Sequence, residues 1–148
     1  MSIFPARMIE ETQKNAVDDV ENGYKDIYFD IKTKKIVVVD GKVQIASKKQ
    51  QIQQWLYLLI HTELGKYKVY ENTDFGISFL YEMKGHEYYS SGFTIAQIQD
   101  ELTEKIKIHK WVDSVESIEI EKGFTGLNIT ITLNIGGESI ESEVQYIV

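Results

Sequence analysis

The strongest constraint on the fold lies near the carboxyl end of the chain, where apolar and polar residues alternate without interruption. Short polar side chains, two asparagines and two threonines, separate five apolar residues: Leu127, Ile129, Ile131, Leu133 and Ile135. A period of two places the apolar side chains on one face of a strand and the polar ones on the other. Such a strand predicts an antiparallel sheet with one face covered by helices.

Two further strands flank this one. Gly136-Gly137 is typical of a two-residue hairpin turn, and the strand after it has Ile140, Val144 and Tyr146 on one face. Before the central strand the alternation is imperfect, which indicates a bulge at positions 116–117. The sequence therefore predicts a three-strand antiparallel meander, with Ile140, Val144 and Tyr146 as candidate sheet-edge residues where a partner strand could add.

Two helices are indicated by capping boxes followed by apolar residues three and four positions apart. Ser47 and Gln50 form the first box, and we expect this helix to end at Gly65. Thr94 and Gln97 form the second box, and we expect that helix to end near His109. The apolar stripes consist of Ile52, Trp55, Leu56, Leu59, Ile60 and Leu64 in the first helix, and of Ile95, Ile98, Leu102 and Ile106 in the second.

These elements predict an α+β fold: a small mixed or antiparallel β-sheet with a C-terminal three-strand meander packed against two α-helices. Short strands are expected over residues 26–45, with a tight turn at Asp40-Gly41. Residues 25–148 are expected to form a single domain. Residues 1–24 carry five acids and few large apolar side chains, so we expect an arm that is ordered mainly by partners.

Composition and charge exclude several classes of protein. The chain has no cysteine, which excludes disulfides and thiolate metal sites, and its net charge of −7 argues against general binding to nucleic acid. Neither a signal peptide nor a long apolar run is evident, so we expect a soluble protein that is made in the cytoplasm and has no membrane partner. Charge is uneven: residues 32–49 carry six lysines against Asp40, while residues 111–148 carry seven acids against Lys122.

The sequence offers little support for catalysis. It contains no glycine-rich phosphate loop, and its three histidines lie far apart with no cysteine nearby, so we expect no catalytic residue, metal or cofactor. One alternative stays open: Glu63 and Asp74 could act as the two acids of a small peptidoglycan hydrolase. A second alternative is an adaptor that recognises peptides by adding their strand to its sheet.

A segment crowded with tyrosine, charge and glycine follows the first helix, TELGKYKVYENTDFG at residues 62–76. A Gln-Trp pair in the helix precedes a Thr-Glu segment, a tyrosine-rich strand and an aromatic-Gly pair, namely Gln54-Trp55, Thr62-Glu63, Tyr67, Tyr70 and Phe75-Gly76. Together with WVDSV at residues 111–115, this order resembles the tail-sheath initiator family of baseplate wedge proteins in contractile tails. The resemblance covers about residues 26–147 and is greatest to the branch from Gram-positive phages and phage-like bacteriocins. Some relatives in the family are labelled lysozyme-like.

The resemblance implies a structural protein of the virion tail baseplate that links wedge proteins around the tube and templates sheath assembly. The implied partners are the tail sheath protein, the wedge proteins and the tube or hub proteins, with several symmetry-related copies, expected to be six, in each particle. Sheath strands would add to an edge of its sheet. The expected partner-binding residues are Thr62, Glu63, Gly65, Lys66, Tyr67, Tyr70, Asp74, Phe75 and Gly76.

Overall fold

The computed structural model describes residues 26–83 and 92–147, and the expected arm at residues 1–24 lies outside them. The chain divides into two compact units between Trp55 and Leu56. The expectation that residues 25–148 form a single domain stays a prediction. The fold class is confirmed, since helices and small antiparallel sheets are followed by a three-strand sheet at the carboxyl end.

The first unit contains two small hairpins. Strands β1 (Phe29–Asp30) and β2 (Lys35–Ile36) form one, and β3 (Val38–Val39) and β4 (Lys42–Val43) form the other. Asp40 and Gly41 both have positive φ, as the predicted tight turn requires. The six lysines of residues 32–49 are all exposed.

Helix α1 (Lys48–Ile60) begins as the sequence predicts. The Ser47 N–H donates to Oε1 of Gln50 at 2.9 Å, and the Gln50 N–H donates to Oγ of Ser47 at 3.2 Å, which completes a capping box. Gln54 also fixes the first strand, because its Oε1 accepts the Phe29 N–H at 2.9 Å and its Nε2 donates to the Ile27 carbonyl at 3.1 Å. Gln54, the first residue of the Gln54-Trp55 pair, therefore has a structural role in holding the first strand.

The predicted end of this helix at Gly65 is wrong. The helix ends at Ile60, because the main chain of residues 62–64 hydrogen-bonds to Ile77 instead of continuing the helical pattern. Leu64, which the apolar stripe included, is consequently exposed.

The second unit is built on an antiparallel sheet of β5 (Ser114–Lys122), β6 (Gly126–Ile135) and β7 (Glu138–Ile147). The predicted bulge is confirmed, since the register of β5 against β6 shifts between Val115 and Ser117. Gly136 and Gly137 connect β6 to β7 with φ of +59° and +86°. The side chains on the apolar face of β6 are all buried, as the alternation requires.

Two helices complete the second unit. Helix α2 (Phe79–Glu82) is a single turn, and helix α3 (Gly92–Lys107) packs against β5. The helix starts two residues before Thr94, which the sequence placed at its cap. The residues of α3 that enter the core are Ile98, Leu102 and Ile106.

Candidate partner-binding surfaces

The tyrosine-rich segment forms a closed loop, which we call the tyrosine loop and define as residues 64–75. Its ends meet at a parallel bridge between Glu63 and Ile77. The Leu64 N–H donates to the Ile77 carbonyl, and the Ile77 N–H donates to the Thr62 carbonyl, both at 3.0 Å. A surface loop whose ends are held together in this way has the geometry of an Ω-loop.

The inside of the tyrosine loop is ordered by its own hydrogen bonds and rings. A 3-10 turn spans Lys68–Tyr70, where the family resemblance predicted a short strand. The Thr73 hydroxyl donates to the Tyr70 carbonyl at 2.6 Å, and the Tyr70 ring lies 4.6 Å from the Phe75 ring. These contacts give the loop a defined shape, so the segment is neither a strand nor a linker.

Helix α3 holds the carboxyl end of the loop and the residues that follow it through two side chains that were not predicted from the sequence. The Lys105 ammonium donates to the Asp74 carbonyl at 2.6 Å. The buried Glu101 carboxylate accepts the Ser78 N–H at 2.6 Å and the Phe79 N–H at 2.9 Å. The sequence did contain an indication that Glu101 is buried, because this acid lies directly beside Leu102 of the apolar stripe of the helix.

Gly76 serves the closure of the loop. Its φ is +121°, and a Cβ placed there would lie 2.9 Å from the Thr62 carbonyl oxygen and 3.0 Å from Leu64. The sequence suggested that a partner chain could approach the bare backbone at this position, whereas the structure shows the chain's own Thr62 there. A partner contact at Gly76 or Thr62 stays a prediction, and both residues are buried.

The expected site residues differ in how far they face solvent. Glu63, Tyr70 and Phe75 are half-buried, while the exposed members are Gly65, Lys66, Tyr67 and Asp74. Two apolar side chains that were not predicted join them, because Leu64 is exposed and Val69 keeps 79% of its accessible surface. The tyrosine loop therefore presents Leu64, Tyr67 and Val69 to solvent on a hydrogen-bonded frame.

The geometry at Glu63 does not resemble a hydrolytic site. Its carboxylate lies 3.3 Å from the Lys66 ammonium, and its side chain retains 39% of its accessible surface. A glycosidase acid requires dry surroundings that this position lacks. Asp74 is exposed, and the part of it that contacts Lys105 is its main-chain carbonyl.

The two edges of the C-terminal sheet differ. On β5, the Gln99 side chain of α3 donates to the Ile118 carbonyl at 2.7 Å, so the helix satisfies one outward main-chain group of this edge. On β7, none of the described residues pairs with the side opposite β6. The helix thus contacts the β5 edge at Ile118, whereas the β7 edge is open over the described residues.

The hairpin geometry identifies the main-chain groups on the open edge. Ile135 and Glu138 flank the two-residue turn and pair with each other, and such a flanking pair exchanges hydrogen bonds. Alternation along the ladder then turns the N–H and carbonyl groups of five β7 residues away from β6: Ser139, Glu141, Glu143, Gln145 and Ile147. The Asn134 carbonyl agrees with this pattern, because it accepts the Asp113 N–H on the opposite side of β6.

The candidate sheet-edge side chains lie on the inner face of β7. Val144 and Tyr146 are buried, and Ile140 is partly buried. The Tyr146 ring meets the Tyr81 ring edge-on at 5.5 Å, and burial raises the pKa of both phenols. These side chains anchor the strand, while its outward main chain forms the edge.

The described histidines have structural contacts. The His61 ring stacks on the Tyr57 ring, with 4.2 Å between their centroids. The Trp111 N–H donates to Nδ1 of His109 at 3.2 Å. Burial lowers the pKa of His109. Over residues 26–83 and 92–147 there is no group of three or more side chains that could hold a metal ion, and no helix in these ranges is long and apolar enough to cross a membrane.

Comparison with known protein families gives a match over about three quarters of the chain. A family model described as "Contractile injection system sheath initiator" matches residues 25–137. No curated protein sequence matches the chain at a significant level.

Proposed function

This chain belongs to the contractile injection system sheath initiator family, and from that premise we propose that it is a non-enzymatic baseplate component that templates sheath assembly. Members of this family are structural components associated with the sheath and baseplate of a contractile system. The proposal adds that the chain links wedge proteins around the tube of a phage or phage-like bacteriocin, in six copies. It also adds that sheath strands extend the sheet of this protein.

The open edge of β7 is the observation that carries the templating role. A partner strand can hydrogen-bond to the outward N–H and carbonyl groups of Ser139, Glu141, Glu143 and Gln145. The edge of β5 is less accessible to such a strand, because Gln99 already donates to the Ile118 carbonyl in its middle. We therefore assign the incoming sheath strand to β7.

The tyrosine loop supports the link to wedge proteins. Natural interfaces concentrate binding energy in a few side chains, among which tyrosine is enriched, and a fixed conformation lowers the entropic cost of binding. Tyr67 fits this description, with the exposed apolar side chains of Leu64 and Val69 near it in the chain, because the loop is closed by the Ile77 bridge and by Lys105. Glu63, Gly65, Lys66 and Asp74 would form the polar rim of this contact.

Electron microscopy of particles from a producing strain tests the proposal. Deletion of the gene should leave tubes or baseplates without an assembled sheath, and the wild-type gene supplied in trans should restore contractile particles. Normal sheathed particles from the deletion strain would reject the templating role. In that case the open edge of β7 would be better explained by the alternative function, an adaptor that binds peptides by adding their strand to the sheet.

A further inference from the structure

The polar face of the meander is acidic beside its open edge. Glu141 and Glu143 project from β7 on this face, opposite Thr132 and Thr130 of β6. Both glutamates are exposed. Over the described residues, no lysine or arginine makes an ion pair with either one. A strand that adds to β7 therefore meets two uncompensated carboxylates.

Strand geometry determines which residues of a partner would face these carboxylates. Side chains directly opposite each other in a ladder share one face of the sheet, and cross-strand pairs of opposite charge are favourable. The partner residues opposite Glu141 and Glu143 would lie two positions apart. The one residue between them would face the inner side, opposite Ser142.

We propose that the open edge of β7 selects a strand with lysine or arginine at alternate positions on its outer face, and this inference rests on the proposed addition of a sheath strand to β7. The inner face of that strand would carry small or apolar residues, with a serine or threonine opposite Ser142.

Ser142 supplies an observation that is independent of charge. Its side chain is 5% exposed, and its hydroxyl has no hydrogen-bond partner in the structure. A buried hydroxyl without a partner is unfavourable, whereas serine and threonine hydroxyls on neighbouring strands hydrogen-bond to each other. A strand beside β7 with a hydroxyl at the matching position would satisfy Ser142.

Two other occupants have the wrong charge. A second copy paired through its own β7 would place glutamates beside glutamates, which disfavours self-association at this edge. The chain's own residues 1–24 contain Arg7 and Lys14 against five acids, a net charge of −3. Neither occupant would neutralise the carboxylates on β7.

Three synthetic nine-residue peptides test the proposal with the full chain. All three have valines on the face that would lie on the inner side of the sheet, except for one threonine placed opposite Ser142. The other face carries lysine in the first peptide, threonine in the second and glutamate in the third. Amide hydrogen exchange at residues 139–145 reports pairing, and fluorescence anisotropy of labelled peptides gives the affinity. We expect the lysine peptide to bind about fivefold more tightly than the threonine peptide, and the glutamate peptide to bind most weakly.

Paired variants separate the edge carboxylates from general acidity. The double variant Glu141→Gln with Glu143→Gln should bind the lysine and threonine peptides equally. The matched control, Glu119→Gln with Glu121→Gln, removes the same charge from β5 on the same face but two strands farther from the peptide. It should retain the preference, because charges separated by more than about 10 Å are screened at ordinary ionic strength.

The outcomes distinguish this inference from the proposed function. Equal affinity of all three peptides, with protection of the β7 amides, would overturn the charge selection and leave strand addition intact. Absence of protection with every peptide would instead overturn the assignment of the incoming strand to β7. An equal loss of preference in both double variants would show that overall charge, and not the edge pair, attracts the lysine peptide.

Discussion

At the scale of single residues, His109 connects the carboxyl end of α3 to the sheet through an acceptor nitrogen. Its Nδ1 accepts the Trp111 N–H, and its ring lies 5.5 Å from the Trp111 ring. The imidazole must be neutral to accept this hydrogen bond, and burial lowers its pKa below the ordinary value of 6.5. The unfolded chain therefore binds a proton at His109 more readily than the folded one.

This difference predicts a stability that depends on pH. As pH falls below 6.5, the unfolded state takes up the proton first, so the contribution of His109 to the free energy of unfolding is lost. His109→Asn keeps an acceptor and does not titrate. The free energy of unfolding of this variant, measured with urea, should therefore fall less steeply from pH 7.5 to pH 5.5 than that of the wild type. Identical slopes for the two proteins would show that His109 does not set this dependence.

Gly76 gives a second prediction at this scale. Gly76→Ala adds a Cβ against the Thr62 carbonyl at positive φ and should lower the free energy of unfolding by about 3 kcal/mol. Gly65→Ala is the matched control, because Gly65 also has positive φ but has open space around its Cα, and it should cost about 1 kcal/mol. Equal losses in chemical denaturation would mean that close packing at Gly76 contributes nothing.

At the scale of elements, the sequence predicted the structural features that depend on residues close together along the chain. The capping box at Ser47 and Gln50, the bulge at positions 116–117 and the turn at Gly136-Gly137 all have the predicted form. Each depends on residues that are adjacent along the chain. Periodicity and turn chemistry are sufficient to identify such features.

The elements that the sequence did not predict depend on contacts between distant segments. Helix α1 ends at Ile60 because Ile77 pairs with residues 62–64, and no local pattern near Leu64 reveals that pairing. The hold of Glu101 on Ser78 likewise joins two segments 23 residues apart. The sequence therefore indicated residues 62–76 as a candidate segment, but it did not indicate the shape that this segment takes.

The tyrosine loop carries the prediction at this scale. Val69→Ser removes an exposed apolar side chain and should change the free energy of unfolding by less than about 0.5 kcal/mol. Co-purification of wedge proteins with the tagged chain from a producing strain should nevertheless fall about tenfold. Phe124→Ser, at a fully exposed ring in the β5–β6 turn, is the control and should leave co-purification unchanged. Equal retention of wedge proteins by both variants would remove Val69 from the interface.

At the scale of the whole molecule, we propose different partners for different surfaces. The tyrosine loop is the proposed apolar contact for a wedge protein, and the edge of β7 is the proposed main-chain template for a sheath strand. The family match supports the association with sheath and baseplate as a whole. The assignment of the strand to β7 depends on the contrast between its open edge and the Gln99 contact on β5.

The most direct test of the central claim is electron microscopy of particles from a deletion strain complemented with Gln145→Pro. Proline at this outward position removes no hydrogen bond to β6, because the Gln145 N–H points away from it, but it blocks a strand that approaches β7. Gln145→Ala changes the same side chain and keeps the N–H, so it should restore sheathed particles. We predict baseplates without sheath for a folded Gln145→Pro protein, and normal sheaths with that variant would contradict the account.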